Sequence, residues 1–392
     1  LTTQLARLTF PYIFFISLVT LLGGVLNSVN RFAMVAAAPV ILNITLISAL
    51  LLLTPVMDTS AHALSVGVAL AGLTQFLWLA YGAQRVGMMP KLRRPRLSEP
   101  VKRLLTLAAP AAFGAGVAQV NLLVDVVLAS MFSGAVSWLY YTDRLNELPI
   151  GVIGVAVGTA LLPMLSKSIR AGNESEAVAS MNMALVMAMS LTIPAMVALI
   201  LIPQALIVTI YQHGAFEASD TAAVVPALVA YAMGLPAFIL IKIFSPGFFA
   251  RQDTKTPVKI AVLCVAINVV GNLLLMQVYE HVGLALATTI SGWVNASLMG
   301  VVLYRRGHFK PDVALVGMLD KIALASAMMG LLLYFLFPLL VWEGLVARVS
   351  SLLLLVSAGG ATYGLMAMVL GLHQLMPAVL QRKLPAFLQK KN

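Results

Sequence analysis

Long apolar runs separated by short polar connections dominate this chain. Eleven of the runs are long enough to cross a bilayer, which takes about 20 apolar residues in a helix. They lie near residues 7–27, 33–55, 64–84, 105–130, 137–166, 180–208, 222–249, 258–278, 282–304, 316–340 and 350–371. The pattern predicts an all-α polytopic membrane protein, and the longest helices are expected to tilt or bend.

Three prolines, Pro226, Pro236 and Pro246, recur inside the predicted span 222–249. Each removes one backbone N–H donor from the helix, and neighbouring groups or water must replace the lost bond within the bilayer. We therefore expect this helix to be kinked or broken.

Composition supports the membrane class. Of the 392 residues, 61% are hydrophobic and only 10% are charged, and the mean hydropathy is +0.98. These values exclude a water-soluble domain. No catalytic constellation is recognisable either, because the five histidines lie near loops without metal-ligand spacing and no glycine-rich phosphate loop is present. A transporter that needs no cofactor, rather than an enzyme, is expected.

The net charge of +11 is unevenly distributed along the chain. Basic residues fall on or beside alternate connections, and this positive-inside pattern places those connections and the C-terminus in the cytoplasm. The basic face then meets anionic lipid headgroups, not nucleic acid. The intervening connections carry Asp58, Glu217, Asp220, Glu280 and Glu343, with Arg7 and Arg348 as their basic residues.

Eleven spans with a cytoplasmic C-terminus place Leu1 outside, and no signal peptide explains this. We therefore expect an odd number of further spans upstream. A repeat supports this expectation. Pro11 and Asn43 are 32 residues apart, and Pro236 and Asn268 have the same separation, so the second pair repeats the first at an offset of 225 residues. A second similarity joins Val-Gly-Val-Ala-Leu-Ala at 66–71 to Val-Gly-Leu-Ala-Leu-Ala at 282–287.

Parallel repeats are a device of secondary transporters, which bind substrate between two lobes near mid-membrane. The first lobe has three spans where the second has six, so three helices are expected upstream. The predicted division is 1–84 for the first lobe, 85–104 for a basic cytoplasmic linker, 105–310 for the second lobe, and 311–392 for two additional helices and a basic tail.

The charges left inside the spans are concentrated in one run, Asp143-Arg144-Leu145-Asn146-Glu147. An unpaired charge at mid-membrane costs about 2.5–3.5 kcal/mol on insertion scales, so Arg144 is expected to pair with Asp143 or Glu147. An arginine between two carboxylates favours a polar, anionic cargo, and the alternative is a set of interface anchors. Lys242, also well inside a span, has the same two interpretations.

A second polar group combines amides, a hydroxyl and a carboxylate. Asn121 and Asp125 are four residues apart, as are Asn268 and Asn272, and Thr288 lies one turn into the next span. Oxygen-rich groups suit a hard cation, here a monovalent one, and an intramembrane carboxylate is a functional hypothesis by default. Hydrogen bonding between helices is the alternative.

Charged residues also mark the predicted cytoplasmic mouth. They are Arg251, Asp253 and Lys255, and Arg31 occupies the equivalent inside turn of the first repeat. Positive-inside topology is one interpretation of these residues. A gate or a contact with the headgroup of the cargo is the other.

Four segments resemble the MurJ (MviN) family of lipid II flippases, in the MOP exporter superfamily, and together they cover essentially the whole chain. Residues 136–149 look like the family signature and read Val-Ser-Trp-Leu-Tyr-Tyr-Thr-Asp-Arg-Leu-Asn-Glu-Leu-Pro, continuing through 151–159 and Leu162-Pro163. The other segments are Asn30-Arg31-Phe32 with Ala38-Pro39 and Leu42-Asn43-Ile44, Tyr211-Gln212-His213-Gly214-Ala215-Phe216, and Arg251-Gln252-Asp253-Thr254-Lys255-Thr256-Pro257-Val258-Lys259.

The resemblance implies a MATE-like MOP fold of two pseudo-symmetric helix bundles, of which this chain carries 11 of 14 helices. It also implies a multi-pass protein of the bacterial inner membrane that exports lipid II, the undecaprenyl-pyrophosphate-linked peptidoglycan precursor, to the outer leaflet by alternating access. Arg144 would hold the diphosphate through parallel hydrogen bonds, with Asp143, Glu147 and Lys242 beside it. Lipid II, membrane lipids and the cell-wall synthesis machinery are the expected partners.

Superfamily relatives often couple export to sodium or protons, so Asp125, Asn268, Asn272 and Thr288 form a candidate cation site. The membrane potential is a further candidate energy source. Three alternative functions stay open: a flippase for another polyprenyl-linked oligosaccharide, a MATE-type exporter, and a transferase acting on a lipid-linked sugar. The transferase lacks support because Glu99 is the one acid in the long loop at 85–103.

Overall fold

The computed structural model describes residues 1–29, 31–90, 99–340 and 342–372. Within these ranges the chain is helical and contains no strand. It divides into two compact units, Leu1–Lys102 and Arg103–Asn392, called the first and the second unit below. The boundary falls inside the predicted linker 85–104.

The first unit is built from apolar helices joined by short connections. Its described helices are α1 Thr2–Thr9, α2 Pro11–Ser28, α3 Phe32–Ala36, α4 Ala38–Leu53 and α5 Ser60–Arg85. Proline suits the first position of α2, where an N–H would have no intrahelical partner. The side chain of Thr59 caps α5 by accepting a hydrogen bond from the His62 N–H. Leu26 of α2 and Leu79 of α5 share the core of this unit.

The second unit contains longer helices. They are α6 Glu99–Ala129, which crosses the boundary, α7 Ala135–Arg170, α8 Glu174–Leu201, α9 Pro203–Ile210, α10 Ala218–Ala232, α11 Leu235–Phe249, α12 Lys255–Arg305, α13 Val313–Leu336 and α14 Leu345–Val369. One hydrophobic core joins α7, α8, α11 and α12 through Leu165, Met181, Ile243 and Leu303.

The helix predicted to be kinked or broken at 222–249 is broken. α10 ends at Ala232, and α11 begins at Leu235 with Pro236 in its first turn. Pro226 and Pro246 instead lie inside α10 and α11. The break coincides with Gly234, where an added Cβ would lie 2.8 Å from Thr289 Oγ1 of α12. A close helix contact therefore accompanies the break.

Two predicted spans, 258–278 and 282–304, form the 51-residue α12, which folds back on itself at Glu280. Glu280 adopts φ 49° and ψ −130°. The two halves are antiparallel neighbours, because Ser291 Oγ donates to the Cys264 carbonyl at 2.8 Å. Glycine is required at 283, since a Cβ there would lie 2.5 Å from the Leu275 carbonyl oxygen.

Helices lie over all eleven predicted spans. Among the described residues, eight helical segments are long and apolar enough to cross a membrane. One of them is α12, whose two halves cover two predicted spans. α6 and α7 lie over the spans predicted at 105–130 and 137–166. The prediction of an all-α polytopic membrane protein is confirmed.

Candidate functional site

The first half of α7, its outer half by the predicted topology, buries one face and exposes the other. Thr142, Leu145 and Asn146 are buried, and Leu145 packs against Val224 and Leu228 of α10. Helical spacing turns the three charged residues of the run away from this packed face, and all three are exposed.

Arg144 is held by its own helix. Its Nη2 donates to the Tyr140 hydroxyl at 2.9 Å, and the guanidinium lies 4.9 Å from the centroid of that ring. Its Nη1 lies 3.4 Å from Glu147 Oε2. Of the two carboxylates that were predicted as partners of Arg144, Glu147 is therefore the one that forms the ion pair. The side chains of Arg144 and Glu147 are 56% and 55% exposed, so the pair is weak and a ligand can reach it.

Tyr140 was missed by the sequence analysis. It precedes Arg144 by four residues, and side chains at this spacing face each other on a helix. Its neighbour Tyr141 packs against Tyr211 and Phe216, with ring centroids 4.8 Å and 5.3 Å away. These contacts bring together two of the segments that carry the family resemblance, 136–149 and 211–216.

Trp138 fixes the start of α7 against two other helices. Its indole Nε1 donates to Asp220 Oδ1 at 2.8 Å, and Asp220 Oδ2 accepts from the Glu217 N–H at 2.9 Å, as part of the cap of α10. The indole ring centroid also lies 5.0 Å from that of His281 in α12. The starts of α7 and α10 and the bend of α12 are therefore joined.

A cavity of about 500 Å³, the outer cavity, lies between α6, α7, α10 and α12. Asp143 and Asp125 both line it. Asp143 therefore faces this cavity, while Glu147 pairs with Arg144. Tyr140 lines the same cavity and bonds Arg144, so one side chain joins the charged run to the cavity.

The polar residues predicted as a cation site meet beside the outer cavity. Asn272 Nδ2 donates to Asp125 Oδ1 at 2.5 Å, and Asn121 Nδ2 donates to Asp125 Oδ2 at 3.2 Å. One end of the Asn268 amide lies 3.2 Å from Thr288 Oγ1. These five side chains form the polar cluster, which joins α6 to both halves of α12.

The orientation of the Asn268 amide follows from its neighbours. Its other end faces two acceptors, Asp125 Oδ1 at 3.1 Å and Asn121 Oδ1 at 3.0 Å, and one donor, Asn272 Nδ2 at 3.1 Å. The nitrogen therefore belongs at this end and the oxygen toward the Thr288 hydroxyl. In the described part of the chain, Asn272 Oδ1 is buried without a hydrogen-bond partner.

Lys242 lies apart from Arg144. It is an exposed residue of α11, and the aliphatic part of its side chain covers Gly154 of α7 so closely that an added Cβ would collide with it. Gly154 follows Arg144 by ten residues, which is about 15 Å along a helix. Lys242 therefore contacts the same helix at a deeper level.

Two ion pairs join the start of α8, the end of α11 and both ends of α12, which the predicted topology places on the cytoplasmic side. Arg251 pairs with Glu174 and donates to the Gly247 carbonyl at 2.9 Å. Arg306 Nη1 lies 2.6 Å from Asp253 Oδ2. The Arg251 side chain is only 11% exposed. These contacts favour a fixed joint between helices over a contact with headgroups for Arg251 and Asp253.

Asp253 is the most strongly bonded acid of this joint. The Thr256 hydroxyl donates to it at 2.6 Å and the Thr256 N–H at 3.0 Å. Burial raises the pKa of Asp253, but the hydrogen bonds from Thr256 and Arg306 outweigh this and hold the pKa well below its usual range. Burial and the nearby Arg251 lower the pKa of His308, which favours its neutral form.

The remaining predicted mouth residues are exposed. Lys255 begins α12, and Arg31 precedes α3 in the first unit. Asp253 accepts from the residue after Lys255, so the lysine stands at the edge of the ion-paired joint. A role for Lys255 and Arg31 in a gate or in contact with the headgroup of the cargo stays a prediction.

Comparison with known proteins identifies relatives that match this chain over most of its length. Residues 1–356 match the family described as lipid II flippase MurJ. The chain is 40% identical over 383 residues to a probable lipid II flippase MurJ from Rhizobium tropici, which covers 95% of this chain and 71% of that protein. It is 35% identical over 377 residues to a probable lipid II flippase MurJ from Vibrio cholerae, and this match covers 95% of the present chain and 72% of the Vibrio protein.

Among solved structures, the chain resembles a lipid II flippase MurJ in an inward closed conformation. The TM-score is 0.78 at 26% sequence identity, and the match covers 95% of this chain and 75% of the solved one. This similarity confirms the predicted fold, and the family match spans most of the sequence. The chain therefore belongs to the MurJ family of lipid II flippases.

Proposed function

We infer that this chain is a flippase for lipid II and moves this peptidoglycan precursor from the inner to the outer leaflet. It is a transporter and not an enzyme. The observation that supports this function most directly is the exposed side chain of Arg144, which lies in the segment 136–149 of α7 that carries the family resemblance. The cargo has an anionic diphosphate and polar sugars, whereas its lipid tail can stay in the bilayer. Only the polar headgroup must cross the membrane along a path that is shielded from the lipid.

Arg144 is the proposed diphosphate ligand. Arginine keeps its charge and presents a planar fork of five N–H donors, of which Tyr140 and Glu147 engage two. The 3.4 Å contact with Glu147 is long and exposed, so a diphosphate can replace this carboxylate at small cost. Tyr140 then keeps the guanidinium in position while the anion binds.

The other proposed substrate residues have different tasks. Glu147 neutralises Arg144 between transport cycles, and Asp143 contributes negative charge to the outer cavity. Lys242 offers a second cation deeper along α7 for a phosphate that has moved inward or outward. Arg31, Arg251, Asp253 and Lys255 belong to the cytoplasmic side of the route, where Arg251 and Asp253 stabilise the helix ends.

The polar cluster is the proposed coupling site. Asp125 supplies one negative charge, and Asn268, Asn272 and Thr288 offer neutral oxygens to a hard monovalent cation such as sodium once the two amides, whose nitrogens face Asp125 in this structure, rotate by 180°. The buried, unpartnered Asn272 Oδ1 supports this assignment, because a cation would satisfy an oxygen that otherwise costs about 1–3 kcal/mol. A proton carried by Asp125 is the alternative coupling ion, and the membrane potential can add to either.

The proposed setting is the bacterial inner membrane, with multiple passes and a cytoplasmic C-terminus. The basic connections support this orientation. The proposed domain plan keeps 1–84 and 105–310 as the two lobes, 85–104 as the linker, and 311–392 as an added helix pair with its tail.

Lipid II exposure on the outer face of cells depleted of their own flippase tests the cargo. The protein should restore exposure, and Arg144→Ala should abolish it without preventing membrane insertion. Arg170→Ala is the matched control, because Arg170 lies at the cytoplasmic end of the same helix and donates to the Ser166 carbonyl. It should retain exposure.

The outcome separates the alternatives. No restoration by a well-inserted protein would transfer the assignment to another polyprenyl-linked oligosaccharide. Restoration by both the parent and Arg144→Ala would keep the cargo and remove Arg144 from the site.

A further inference from the structure

A second cavity, the inner cavity, adjoins the polar cluster and has a volume of about 280 Å³. It lies between α6, α11 and both halves of α12, and Ala261, Cys264 and Asn295 are among its lining residues. A water molecule occupies about 30 Å³ in the liquid. The inner cavity therefore has room for several waters.

Chain direction places the inner cavity on the cytoplasmic side of the cluster. The first half of α12 runs outward from Lys255, and Val258 precedes Asn268 by ten residues, which is about 15 Å of helix. In the returning half, Asn295 follows Thr288 by seven residues, about 10 Å toward the cytoplasm. Both Val258 and Asn295 line the inner cavity.

The outer cavity extends in the opposite direction. Asp125 and Ala129 line it at the outer end of α6, and Ser137 lines it at the outer start of α7. Asn121 and Thr288 line both cavities. The polar cluster is therefore the partition between two cavities that lie toward opposite faces of the membrane.

Two buried oxygens without hydrogen-bond partners lie at the inner cavity and in the polar cluster. Among the described residues, Asn295 Oδ1 at the inner cavity and Asn272 Oδ1 in the cluster are buried without hydrogen-bond partners. Buried polar atoms in native proteins almost always bind a protein group, water or an ion. Two such oxygens, one in the polar cluster and one at the inner cavity, suit a hydrated cation or the waters that accompany it.

We propose that the outer and inner cavities are the two access routes of a single cation site, both contained in the second unit. The cation enters through the outer cavity past Asp143 and exchanges water for the oxygens of the polar cluster at Asp125. It leaves through the inner cavity past Asn295. This route rests on the proposed coupling function of the cluster and is separate from Arg144.

One side chain connects the route to the cargo. Tyr140 lines the outer cavity and accepts a hydrogen bond from Arg144. A diphosphate that draws Arg144 away changes the wall of the outer cavity, and a cation in that cavity changes the position of Tyr140. Cargo and cation therefore act on the same residue from opposite sides.

Accessibility of single cysteines tests the two routes. The protein is first freed of its cysteine by Cys264→Ala. Ala261→Cys then probes the inner cavity and Ser137→Cys the outer one. Val262→Cys is the matched control, because Val262 is 47% exposed in an apolar helix and is not among the residues that line either cavity.

The probe is a membrane-impermeant cationic methanethiosulfonate applied to right-side-out and inverted vesicles. Ala261→Cys should react from the cytoplasmic face at least about tenfold faster than Val262→Cys, because only a hydrated thiol ionises to the reactive thiolate. Ser137→Cys should react from the outer face. Sodium should slow both reactions, since a cation bound at the polar cluster repels the cationic probe from the adjoining parts of both cavities.

The outcomes separate this inference from the coupling proposal. Equal, slow labelling of Ala261→Cys and Val262→Cys would overturn the inner route, because the inner cavity would then be dry or filled by lipid. If lipid II transport nevertheless required sodium, the proposal that the polar cluster couples transport to a cation would still stand without the inner route. Fast, sided labelling that sodium does not slow would keep both aqueous routes and remove sodium from the cluster.

Asn295→Leu gives a second test that does not use cysteine. The larger apolar side chain should slow labelling of Ala261→Cys from the cytoplasmic side and leave labelling of Ser137→Cys unchanged. Unchanged labelling at both positions would overturn the passage past Asn295.

Discussion

The two units contain the same helical hairpin put to different uses. In the first unit it is formed by α4 and α5, and in the second by the two halves of α12. A glycine allows close approach in each: a Cβ on Gly67 would lie 2.7 Å from the Cβ of Ala49, and one on Gly283 would meet the backbone of Leu275. The repeated sequence at 66–71 and 282–287 therefore has a shared packing role.

The polar contents of the two hairpins differ. In the first unit, Gln75 donates to the Ala38 carbonyl at 2.9 Å, and the hydroxyls of Thr45 and Thr74 lie 3.2 Å apart. These neutral bonds hold helices together, as polar residues commonly do in membranes. The acids of the first unit, Asp58 and Glu99, lie outside its spans.

The second unit adds charge to this frame. Asn268 and Thr288 bridge the halves of α12, and Asp125 approaches them from α6. A carboxylate that is kept inside a membrane at a cost of about 2.5–3.5 kcal/mol needs a functional reason. The same hairpin therefore serves for packing in one unit and for a candidate site in the other, and one acid makes the difference.

Asp125→Asn makes the second hairpin resemble the first and has the largest expected effect. It should raise the sodium concentration for half-maximal export by roughly 100-fold, because a charged contact is worth about 3 kcal/mol. Export by vesicles at varied sodium measures this. Gln75→Leu in the first unit is the control and should leave the sodium dependence unchanged. An unchanged dependence in Asp125→Asn would remove the cluster from coupling.

Alanine substitution of the two hairpin glycines compares their packing. Gly283→Ala should lower stability by about 2–3 kcal/mol, because the added methyl meets the Leu275 backbone at 2.5 Å, and Gly67→Ala by about 1–2 kcal/mol, because it meets the Cβ of Ala49 at the longer distance of 2.7 Å. Thermal unfolding in detergent measures both. Gly364→Ala, with open space around its Cβ, should change little. Equal losses at 67 and 283 would contradict the structural difference between the hairpins.

The helices could be predicted from the sequence because apolar runs of bilayer length leave few alternatives. The spacing of Asn268 and Asn272 also predicted a shared face on one helix. The approach of Asp125 could not be predicted, because periodicity orders residues along one helix and carries no information on which helices are neighbours. The resemblance to a family supplied the role of the residues but not their contacts.

Local details were predictable where helix geometry decides them. Glu147 is three residues beyond Arg144 and can reach it, whereas Asp143 is adjacent in sequence and points elsewhere. The position of the break among Pro226, Pro236 and Pro246 was not predictable, because it depends on the contact between Gly234 and Thr289. Tertiary packing selected one of three equivalent sequence signals.

Arg144→Lys tests whether the charged run of the second unit acts through geometry or charge alone. It should reduce lipid II export by about tenfold, since a lysine cannot make parallel hydrogen bonds to a diphosphate and loses about 1.5 kcal/mol. Outer-leaflet lipid II in depleted cells measures this. Arg170→Lys is the control. Full activity of Arg144→Lys would show that positive charge alone suffices.

The turns at Arg31 and Asp253 extend the comparison between the two units and have the smallest expected effect. The turn at Arg31 in the first unit carries an exposed arginine, whereas Asp253 in the second unit is bonded to Arg306 and Thr256. Because the pKa of Asp253 is lowered in the folded protein, its contribution to stability is complete above the unfolded value of about 3.9 and is lost as pH falls further.

Acidification should therefore destabilise the parent more than Asp253→Asn. The difference should be about 1 kcal/mol or less, because the ion pair is partly exposed to solvent. Melting temperatures of the detergent-solubilised proteins at pH 7 and pH 3 measure it, with Asp58→Asn in the first unit as the control. Parallel loss of stability in the parent and in Asp253→Asn would mean that the joint at α8, α11 and α12 depends on Arg251 and Glu174 instead. The two turns would then differ in packing rather than in charge.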